Sequence, residues 1–383
     1  MDIQLPQNVF VEKVQKLQAA VEKSATRPIL QNILIESFKT PEETDQGVSK
    51  GKITFMATDL DLAIKDVADG EVYESGSITV PGRRLFEALQ ELPPAPVRLT
   101  VVENKWAELT CGNAHFRMMC LDSERFPGIP DISRVEFISI DGALLGKLIK
   151  STSYATSSDE NRPILNGVLF KVTEEAIRMV ATDGHRMALA AAPNEGRLKQ
   201  EFEVILSNKM LNEFTRMAAK SGGAMRMGMD SNLVVVNSGE EYVVAKLIDG
   251  EYPNYQMVIP KTMKYCAILD RIKFYGLVHR VRLFSDNKTH SVRLQFGENL
   301  MEVNASSAEA GLAKDHMEIE YDGMATAIGF NADYLLQALK VIETDAVELH
   351  MVQEDEPVLV TPHYTSDKDA KLQVTSLVMP IVV

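Results

Sequence analysis

The sequence predicts an α+β fold of three similar domains in a row, each with two helices and about eight short antiparallel strands. The segment RPILQNILIE, which begins at Arg27, matches RPILNGVLFK, which begins at Arg162, at five of ten positions. The motif that begins at Ala57 (ATDL) returns 124 residues later at Ala181 (ATDG). A large residue followed by proline recurs near the end of each third of the chain, in Phe126-Pro127, Tyr252-Pro253 and Met379-Pro380.

The repeat length sets the predicted domain limits. One third of 383 residues is about 128, which is far longer than a solenoid repeat and long enough for each domain to bury its own core. We therefore expect domains at residues 1–131, 132–260 and 261–383.

Six helices follow from apolar residues spaced three and four apart. They are predicted at Asn8–Ala25, from Gly82 to the proline pair at 93–94, and at Asp141–Tyr154, Ser207–Lys220, Arg271–Phe284 and Asn331–Glu343. Their buried faces are predicted to contain Phe10, Val14, Leu17, Val21, Leu85, Phe86, Leu89, Leu145, Leu148, Ile149, Thr152, Phe274, Leu277, Val278, Val281 and Phe284.

Strands are predicted where short β-branched and apolar runs alternate with turn residues. The clearest are Ile29–Phe38, Lys52–Ala57, Leu62–Val67, Gly76–Val80, Val97–Val102, Ala107–Cys111, Phe116–Leu121, Val168–Val172, Ile177–Ala181, Ala188–Ala192, Val292–Phe296 and Met301–Ala305. The polar stretch Thr40–Gly51 between two of them is predicted to be an exposed loop.

Charge is distributed unevenly between helices and the rest of the chain. The whole chain carries −14, which on average argues against nucleic acid, because phosphate contacts require Lys and Arg. However, the six predicted helices with their flanks carry +9, so the remainder carries −23. A surface lined by these helices would attract a polyanion there and repel it elsewhere. The alternative is that these cations are simply solvated.

The sequence lacks the motifs of several common modes of nucleic-acid binding. It has no RNP motif, zinc finger or glycine-rich phosphate loop. No aromatic residues interleave the basic positions, so single-strand base stacking is not indicated. The prediction is contact with backbone phosphates without sequence readout.

Cysteine usage and hydropathy predict a soluble cytoplasmic protein. Cys111, Cys120 and Cys266 are odd in number and lack CxxC spacing, which favours reduced thiols. The seven histidines show no metal-ligand spacing, so no metal or other cofactor is expected. The N-terminus has no signal-peptide pattern, and no apolar run is long enough to span a membrane.

The motif Thr182-Asp183-Gly184-His185-Arg186 is the most distinctive local signal. Asp183 and His185 could share a proton on an extended segment, and catalysis by this pair is one hypothesis. No nucleophile or metal motif accompanies them, however, and the first repeat has Asp61 in place of His185. Polar residues beside Leu165, Met187 and Val258 are more typical of a peptide-docking site. A binding protein is therefore favoured over an enzyme.

Several motifs in combination resemble the bacterial sliding clamp family, the beta subunit of DNA polymerase III. They are PILNG, ATDGHRMA, KLIDGEYPNY, GFNADYLL and the terminal VMP, and the resemblance covers nearly the whole chain. It implies the DNA-clamp fold and a head-to-tail homodimer that closes a ring of six domains around double-stranded DNA. It also implies a replication processivity factor without catalytic activity.

The resemblance further implies partners that bind one peptide cleft. These are the replicative DNA polymerase catalytic subunit, the clamp-loader ATPase, and other polymerases and repair proteins. The cleft positions matching the family are Leu165, Thr182, Gly184, His185, Arg186, Met187, Pro253, Val258, Asn331, Tyr334, Met379 and Pro380. Met257 and the end Ile381-Val382-Val383 depart from the family pattern and make the cleft more apolar.

Two further sets of residues are predicted for the ring. The candidate DNA-binding cations are Lys13, Lys16, Lys23, Arg83, Arg84, Lys147, Lys150, Lys209, Arg216, Arg280 and Arg282. The candidate dimer contacts are Phe116, Leu283 and Phe284. The remaining alternative is a three-domain protein-binding hub that does not bind DNA.

Overall fold

A computed structural model of the protein describes most of the chain. The described residues are 1–23, 26–43, 49–102, 106–130, 132–133, 135–195, 198, 200–220, 224–230, 232–321, 323–365 and 372–381. Their contacts group into two compact units. The first unit comprises Met1–Gly142 and Asn212–Leu247, and the second comprises Ala143–Leu211 and Ile248–Val383.

The described residues form six helices and 24 strands, whose order repeats three times. The first third contains β1 (Asp2–Pro6), α1 (Gln7–Leu17), β2 (Asn32–Glu43), β3 (Ser49–Thr58), β4 (Leu62–Glu74), β5 (Gly76–Pro81), α2 (Gly82–Glu91), β6 (Pro96–Val102), β7 (Trp106–Cys111) and β8 (Ala114–Met119). The second contains β9 (Phe137–Asp141), α3 (Gly142–Thr152), β10 (Gly167–Val172), β11 (Ala176–Thr182), β12 (Arg186–Pro193), β13 (Phe202–Ser207), α4 (Asn208–Lys220), β14 (Ala224–Asp230), β15 (Leu233–Ser238) and β16 (Glu241–Lys246). The third contains β17 (Tyr265–Asp270), α5 (Arg271–Arg282), β18 (Ser291–Gly297), β19 (Leu300–Ser307), β20 (Gly311–Glu318), β21 (Thr326–Asn331), α6 (Ala332–Val341), β22 (Ala346–Met351), β23 (Val358–Pro362) and β24 (Gln373–Val378). The predicted α+β fold of three similar parts is thereby confirmed.

The sheets run across the predicted domain limits. In the first unit, a 12-stranded sheet has the order β8-β7-β6-β1-β4-β16-β15-β14-β9, with β3 on β4 and then β2 and β5. There Ile64 of β4 pairs with Val243 of β16. The second unit has an eight-stranded sheet, β13-β10-β11-β12-β24-β23-β22-β17, and a four-stranded one, β20-β19-β18-β21. Because paired strands come from different repeats, the two compact units do not coincide with the three repeats, and the limits after residues 131 and 260 stay predictions.

The helices bury the faces that their periodicity predicted, with few exceptions. Residues that are buried as expected include Phe10, Val14, Leu17, Leu85, Leu89, Leu145, Leu148, Ile149, Thr152, Phe274, Leu277, Val278 and Val281. In the first unit the rings of Phe10 and Phe55 lie 5.6 Å apart, so α1 packs directly on the sheet. Among the described residues, no helix is long and apolar enough to cross a membrane.

Several local predictions were wrong, including the burial of Phe86, which is only half-buried. Helix α1 ends at Leu17, so Val21 and Lys23 lie beyond it. Helix α5 ends at Arg282, so Phe284 lies beyond it and is not on its buried face. The Phe284 side chain is 39% exposed. The strand predicted from Ile29 begins only at Asn32, because Pro28–Gln31 is a 3₁₀ turn with proline in its first turn. The same motif in the second repeat, Pro163–Asn166, is also a 3₁₀ turn.

The predicted loop Thr40–Gly51 is shorter than expected. Strand β2 continues to Glu43, and β3 begins at Ser49, whose side chain is buried. Residues 44–48 lie outside the described residues, as do Val382 and Val383 at the chain end.

Candidate partner-peptide site

The predicted peptide-binding residues all belong to the second unit, and their centre is the turn between β11 and β12. Gly184 has a φ of +89°, and its N–H donates to the Thr182 hydroxyl at 3.1 Å. Asp183 Oδ1 accepts from the N–H groups of His185 at 2.9 Å and Arg186 at 3.0 Å. The carboxylate of Asp183 therefore holds the turn together, rather than pairing with the His185 ring as the enzyme hypothesis requires.

The first unit builds the same turn between β3 and β4. The Leu60 N–H donates to the Thr58 hydroxyl at 3.0 Å, and Asp59 Oδ1 accepts from Asp61 at 3.1 Å and Leu62 at 2.8 Å. Leu60 takes the place of Gly184 with a φ of +78°. The Thr-Asp pair therefore forms the same hydrogen-bonded turn in both repeats.

Gly184 and Leu60 are the residues with positive φ in these two turns. Replacing each of them by alanine should change the stability of the protein by unequal amounts. Gly184→Ala forces a side chain into a backbone region that costs about 1 kcal/mol, so we expect the thermal unfolding midpoint to fall by about 2–4 °C. Leu60→Ala adds no such strain, because a non-glycine residue already occupies that conformation. Equal shifts in thermal denaturation would contradict this assignment.

Arg186 connects three elements of the second unit and is only 9% exposed. Its Nε donates to Asp183 Oδ2 at 3.0 Å, and its Nη2 donates to the Tyr154 carbonyl at 2.8 Å. Its Nη1 donates to Gln337 of α6. The guanidinium carbon also lies 4.4 Å from the centre of the Tyr334 ring, a cation–π contact. These contacts hold the guanidinium within the second unit and indicate a positioning role, while the contact of Arg186 with a peptide stays a prediction.

The surroundings of Arg186 are buried and hydrogen-bonded. Burial raises the pKa of Tyr154 to about 12, and its hydroxyl lies 2.7 Å from Ser376 Oγ on β24. Burial likewise raises the pKa of Tyr252, whose hydroxyl accepts from the Thr182 N–H at 3.1 Å. Both phenols therefore stay neutral at physiological pH and serve as fixed supports for the turn.

A groove of about 260 Å³ lies beside this turn. It is lined by His185, Thr289, Ser291, Asn331, Tyr334, Met379, Pro380 and Ile381. The exposed His185 ring and the half-buried Tyr334 and Asn331 provide polar groups on its rim. Asn331 Oδ1 caps α6 by accepting from the Asp333 N–H at 2.9 Å, so its amide NH₂ is the group that could serve a ligand. The groove therefore combines an apolar wall with a few polar anchors, which is typical of peptide sites.

The chain end forms one wall of this groove through backbone hydrogen bonds. The Met379 N–H donates to the His185 carbonyl at 3.0 Å, and the Ile381 N–H donates to the Gly329 carbonyl at 2.9 Å. Val378 of β24 pairs with Arg186 of β12. The wall is consequently fixed in register with the turn that carries His185.

A second group of apolar residues continues from the groove. Met187 is buried in a core cluster with Leu169, Val180 and Tyr252, and the partly exposed Leu165 and Met379 pack against it. Pro253 and Val258 are exposed, and Met257 is 82% exposed. Leu165 and Met379 can therefore contact a ligand from their present positions. Met187 is buried in the core cluster against which they pack.

Sequence reasoning missed several residues of this site. Thr289 and Ser291 line the groove, and Tyr154 and Gln337 hold Arg186. Thr289 and Ser291 lie beside the predicted site residue Asn331, because Ser291 of β18 pairs with Asn331 of β21. No local motif reports that pairing, and only the register of the folded sheet brings these residues together.

Some predicted DNA-binding cations are paired with carboxylates inside the first unit: Lys13, Lys16 and Arg216. Buried Asp66 accepts from Lys13 and Lys16, each at 2.8 Å, and Glu241 lies 3.1 Å from Lys16 and also binds Arg216. Burial opposes the charge on Lys16, but the hydrogen bond and charge of Asp66, with Glu241, hold its pKa above the ordinary value. These charges are compensated locally, so they contribute less to an external field than the sequence suggested.

The other candidate cations are more accessible. Lys23, Arg84, Lys147 and Lys209 are exposed. Arg83, Lys150 and Arg280 are also exposed, and they pair with Glu87 at 3.0 Å, Glu343 at 2.9 Å and Asp315 at 2.6 Å, respectively. Arg282 is half-buried against Asp333. Surface ion pairs contribute about 0–1 kcal/mol, so phosphate could displace the carboxylates at the exposed positions.

The fold and the groove together define the class of protein: a chain of repeated α+β domains with an apolar groove that has polar groups on its rim. Family models for the DNA polymerase III beta subunit match it three times: the N-terminal domain at residues 1–130, the central domain at 139–254 and the C-terminal domain at 256–381.

Individual relatives agree with the family models over whole chains. The beta sliding clamp of Chlamydia muridarum is 29% identical, over 94% of this chain and 95% of the relative. A solved Pseudomonas aeruginosa sliding clamp bound to griselimycin has a TM-score of 0.89 and 26% identity, with 100% of both chains covered. The solved C. crescentus beta sliding clamp has a TM-score of 0.90 and 31% identity, covering 100% of this chain and 99% of that one. The chain therefore belongs to the DNA polymerase III beta subunit family, the DNA sliding clamps that make replication processive without catalysing a reaction.

Proposed function

We propose that two copies of this chain assemble head to tail into a ring that encircles double-stranded DNA without sequence specificity. Each copy would supply three domains, at residues 1–131, 132–260 and 261–383. The observation that carries the proposal is the threefold repeat of strand, helix, four strands, helix and three strands. In the proposed ring, each domain would contribute its two helices to a common inner wall. Persistence on DNA then comes from topology, so the local phosphate affinity can stay weak enough for sliding.

Each unit has an edge strand and exposed apolar residues, and these features support self-association. In the described part of the first unit, β8 pairs only with β7 in its sheet, and Phe116 on β8 is 37% exposed. In the second unit, β20 is likewise the end strand of its sheet, and Leu283 and Phe284 after α5 are exposed. Unprotected edges and exposed apolar residues are features that association covers. Phe116 of one copy would therefore approach Leu283 and Phe284 of the other.

The groove of the second unit would bind extended, partly apolar peptides of partner proteins. In this assignment His185, Asn331 and Tyr334 hold peptide polar groups, while Leu165, Met379 and Pro380 form the apolar surface. The partners would be the replicative polymerase catalytic subunit, the clamp-loader ATPase, and other polymerases and repair proteins. The cytoplasm is the proposed compartment, where the three cysteines would stay reduced.

A primer-extension assay tests this function. A replicative polymerase with a clamp loader should synthesise much longer products per binding event when this protein is added to primed circular DNA. A competing peptide from a polymerase tail should shorten the products again. Product lengths that do not depend on this protein would favour the alternative of a protein-binding hub without a role on DNA.

Reversing exposed cations should weaken retention on DNA more than reversing an exposed lysine elsewhere. We expect the triple variant Arg84→Glu, Lys147→Glu and Lys209→Glu to shorten the lifetime on circular DNA and to flatten its salt dependence, because fewer counterions are released. Lys171→Glu, on β10 beside Glu203, is a control for a single charge reversal outside the candidate set, and Lys147→Glu alone is the single variant to compare with it.

The outcome is measured by surface-immobilised circular DNA at several salt concentrations, with the dimer mass checked in parallel. Equal lifetimes for the triple variant and the control would remove these three cations from the DNA-facing surface.

A further inference from the structure

Three side chains of metal-ligating types, with a histidine beside them, meet on one face of the eight-stranded sheet of the second unit. Glu348 and His350 are two residues apart on β22, so both point to the same face. Cys266 of β17 pairs directly with His350. The ligand atoms of Cys266, Glu348 and His350 all lie within 4.8 Å of one another. A thiol, an imidazole and a carboxylate therefore converge from two adjacent strands.

A second histidine, His363, lies beside this group. It follows directly after β23. Its Nδ1 lies 2.7 Å from Glu348 Oε1, and His350 Nε2 lies 2.8 Å from Glu348 Oε2. His350 Nε2 is also 3.1 Å from the Thr361 hydroxyl. All four side chains are half-buried, so solvent can reach the group while the sheet holds it in place.

We propose that Cys266, Glu348 and His350 form a binding site for a zinc-like divalent transition metal. Thiolate, imidazole and carboxylate together are a ligand set that Zn²⁺ prefers, and three protein ligands leave the fourth tetrahedral position to water. Bond lengths of about 2.0–2.3 Å put tetrahedral ligand atoms about 3.3–3.8 Å apart. To reach these values, the 2.8 Å separation of His350 Nε2 from Glu348 Oε2 would widen, and any pair near the 4.8 Å limit would shorten. The softness of the thiolate disfavours Mg²⁺ and Ca²⁺.

His363 has a different role, as a positioning residue. The metal would lie between His350 Nε2 and Glu348 Oε2, which are now 2.8 Å apart, and Cys266 would bind as the thiolate, with its proton released to solvent. The His363 Nδ1–H would keep its hydrogen bond to the other oxygen of Glu348 and so orient the carboxylate. Partners of this kind change metal affinity by about 10–100-fold.

The site escapes sequence analysis because its members are far apart in the chain. Cys266 precedes Glu348 by 82 residues, and no two members have a spacing typical of zinc motifs. The expectation of no metal rested on that spacing. Strand register, which pairs β17 with β22, supplies the proximity instead.

Titration of the full-length protein with Co²⁺ tests the proposal. We expect one Co²⁺ per chain, with a thiolate-to-cobalt charge-transfer absorption that Zn²⁺ removes by displacement. Cys266→Ser should abolish this absorption, and His350→Gln should lower Co²⁺ affinity at least about 100-fold. His363→Gln should keep the absorption but weaken affinity about tenfold or more.

Cys111→Ser is the matched control, because Cys111 is a buried thiol of the first unit. It should leave both absorption and affinity unchanged, and circular dichroism checks that every variant is folded. The proposal is overturned if the unmodified protein shows no thiolate absorption with Co²⁺, or if that absorption persists in Cys266→Ser. As an independent readout, Zn²⁺ should raise the thermal unfolding midpoint of the unmodified protein but not that of Cys266→Ser.

Discussion

Arg186→Met should destabilise the second unit by about 3 kcal/mol and weaken partner-peptide binding by about tenfold or more. Removing one member of a buried ion pair leaves the other charge uncompensated, and this is typically worth several kcal/mol. Asp183 keeps two backbone N–H donors, so we expect a value at the lower end of that range. The loss in affinity follows because Tyr334 loses the guanidinium that lies 4.4 Å from its ring.

Three comparison variants separate stability from binding in this experiment. Arg186→Lys retains a positive charge beside Asp183. An ammonium group lacks the planar set of donors that also binds the Tyr154 carbonyl and Gln337. The stability of Arg186→Lys should therefore lie between that of the wild type and that of Arg186→Met. His185→Ala should weaken peptide binding with little change in unfolding, because its ring is exposed. Arg178→Met on β11 should change neither. Urea unfolding and peptide titration of the same samples provide the two readouts, and wild-type stability in Arg186→Met would refute the positioning role.

The double variant Leu283→Asp and Phe284→Asp should convert the proposed dimer to a folded monomer and abolish retention on closed DNA. Buried apolar contacts at the centre of an interface contribute about 2 kcal/mol or more each, and an unpaired charge in their place adds a desolvation cost. We expect the dimer dissociation constant to rise by at least about 100-fold. Folding should be unaffected, because both side chains are already exposed in the single chain.

Met324→Asp controls for the addition of charge to the same unit. Met324 is also an exposed apolar residue of the second unit, but it belongs to none of the proposed interface positions. Sedimentation velocity over a range of concentrations should show a dimer for this control and a monomer for the double variant. A dimer that persists in the double variant would place the interface elsewhere.

The helices and the repeat could be predicted from sequence because their signals are local. Phe10, Val14 and Leu17 recur at helical spacing, and burial confirms the face that they define. The Thr-Asp turn was also visible as a repeated motif, although its hydrogen bonds show that Asp183 has a structural role. Helix ends were less certain, since α1 stops at Leu17 where its apolar pattern continues to Val21.

The pairing of charges could not be predicted, because it depends on residues far apart in the chain. Lys16 meets Asp66 and Glu241, which are separated from it by 50 and 225 residues. Arg186 likewise meets Gln337 across 151 residues. A sequence pattern reports which residues are basic, but only the folded sheet determines which of them are already compensated.

Retention on circular and linearised DNA is the measurement that tests the proposed ring most directly. The protein is loaded onto closed circular DNA with a clamp-loader ATPase, washed free of loader, and followed after a single cut by a restriction enzyme. We predict long retention on the intact circle and rapid loss from the free ends after cutting. Retention that is the same before and after the cut would show ordinary surface binding and contradict encirclement.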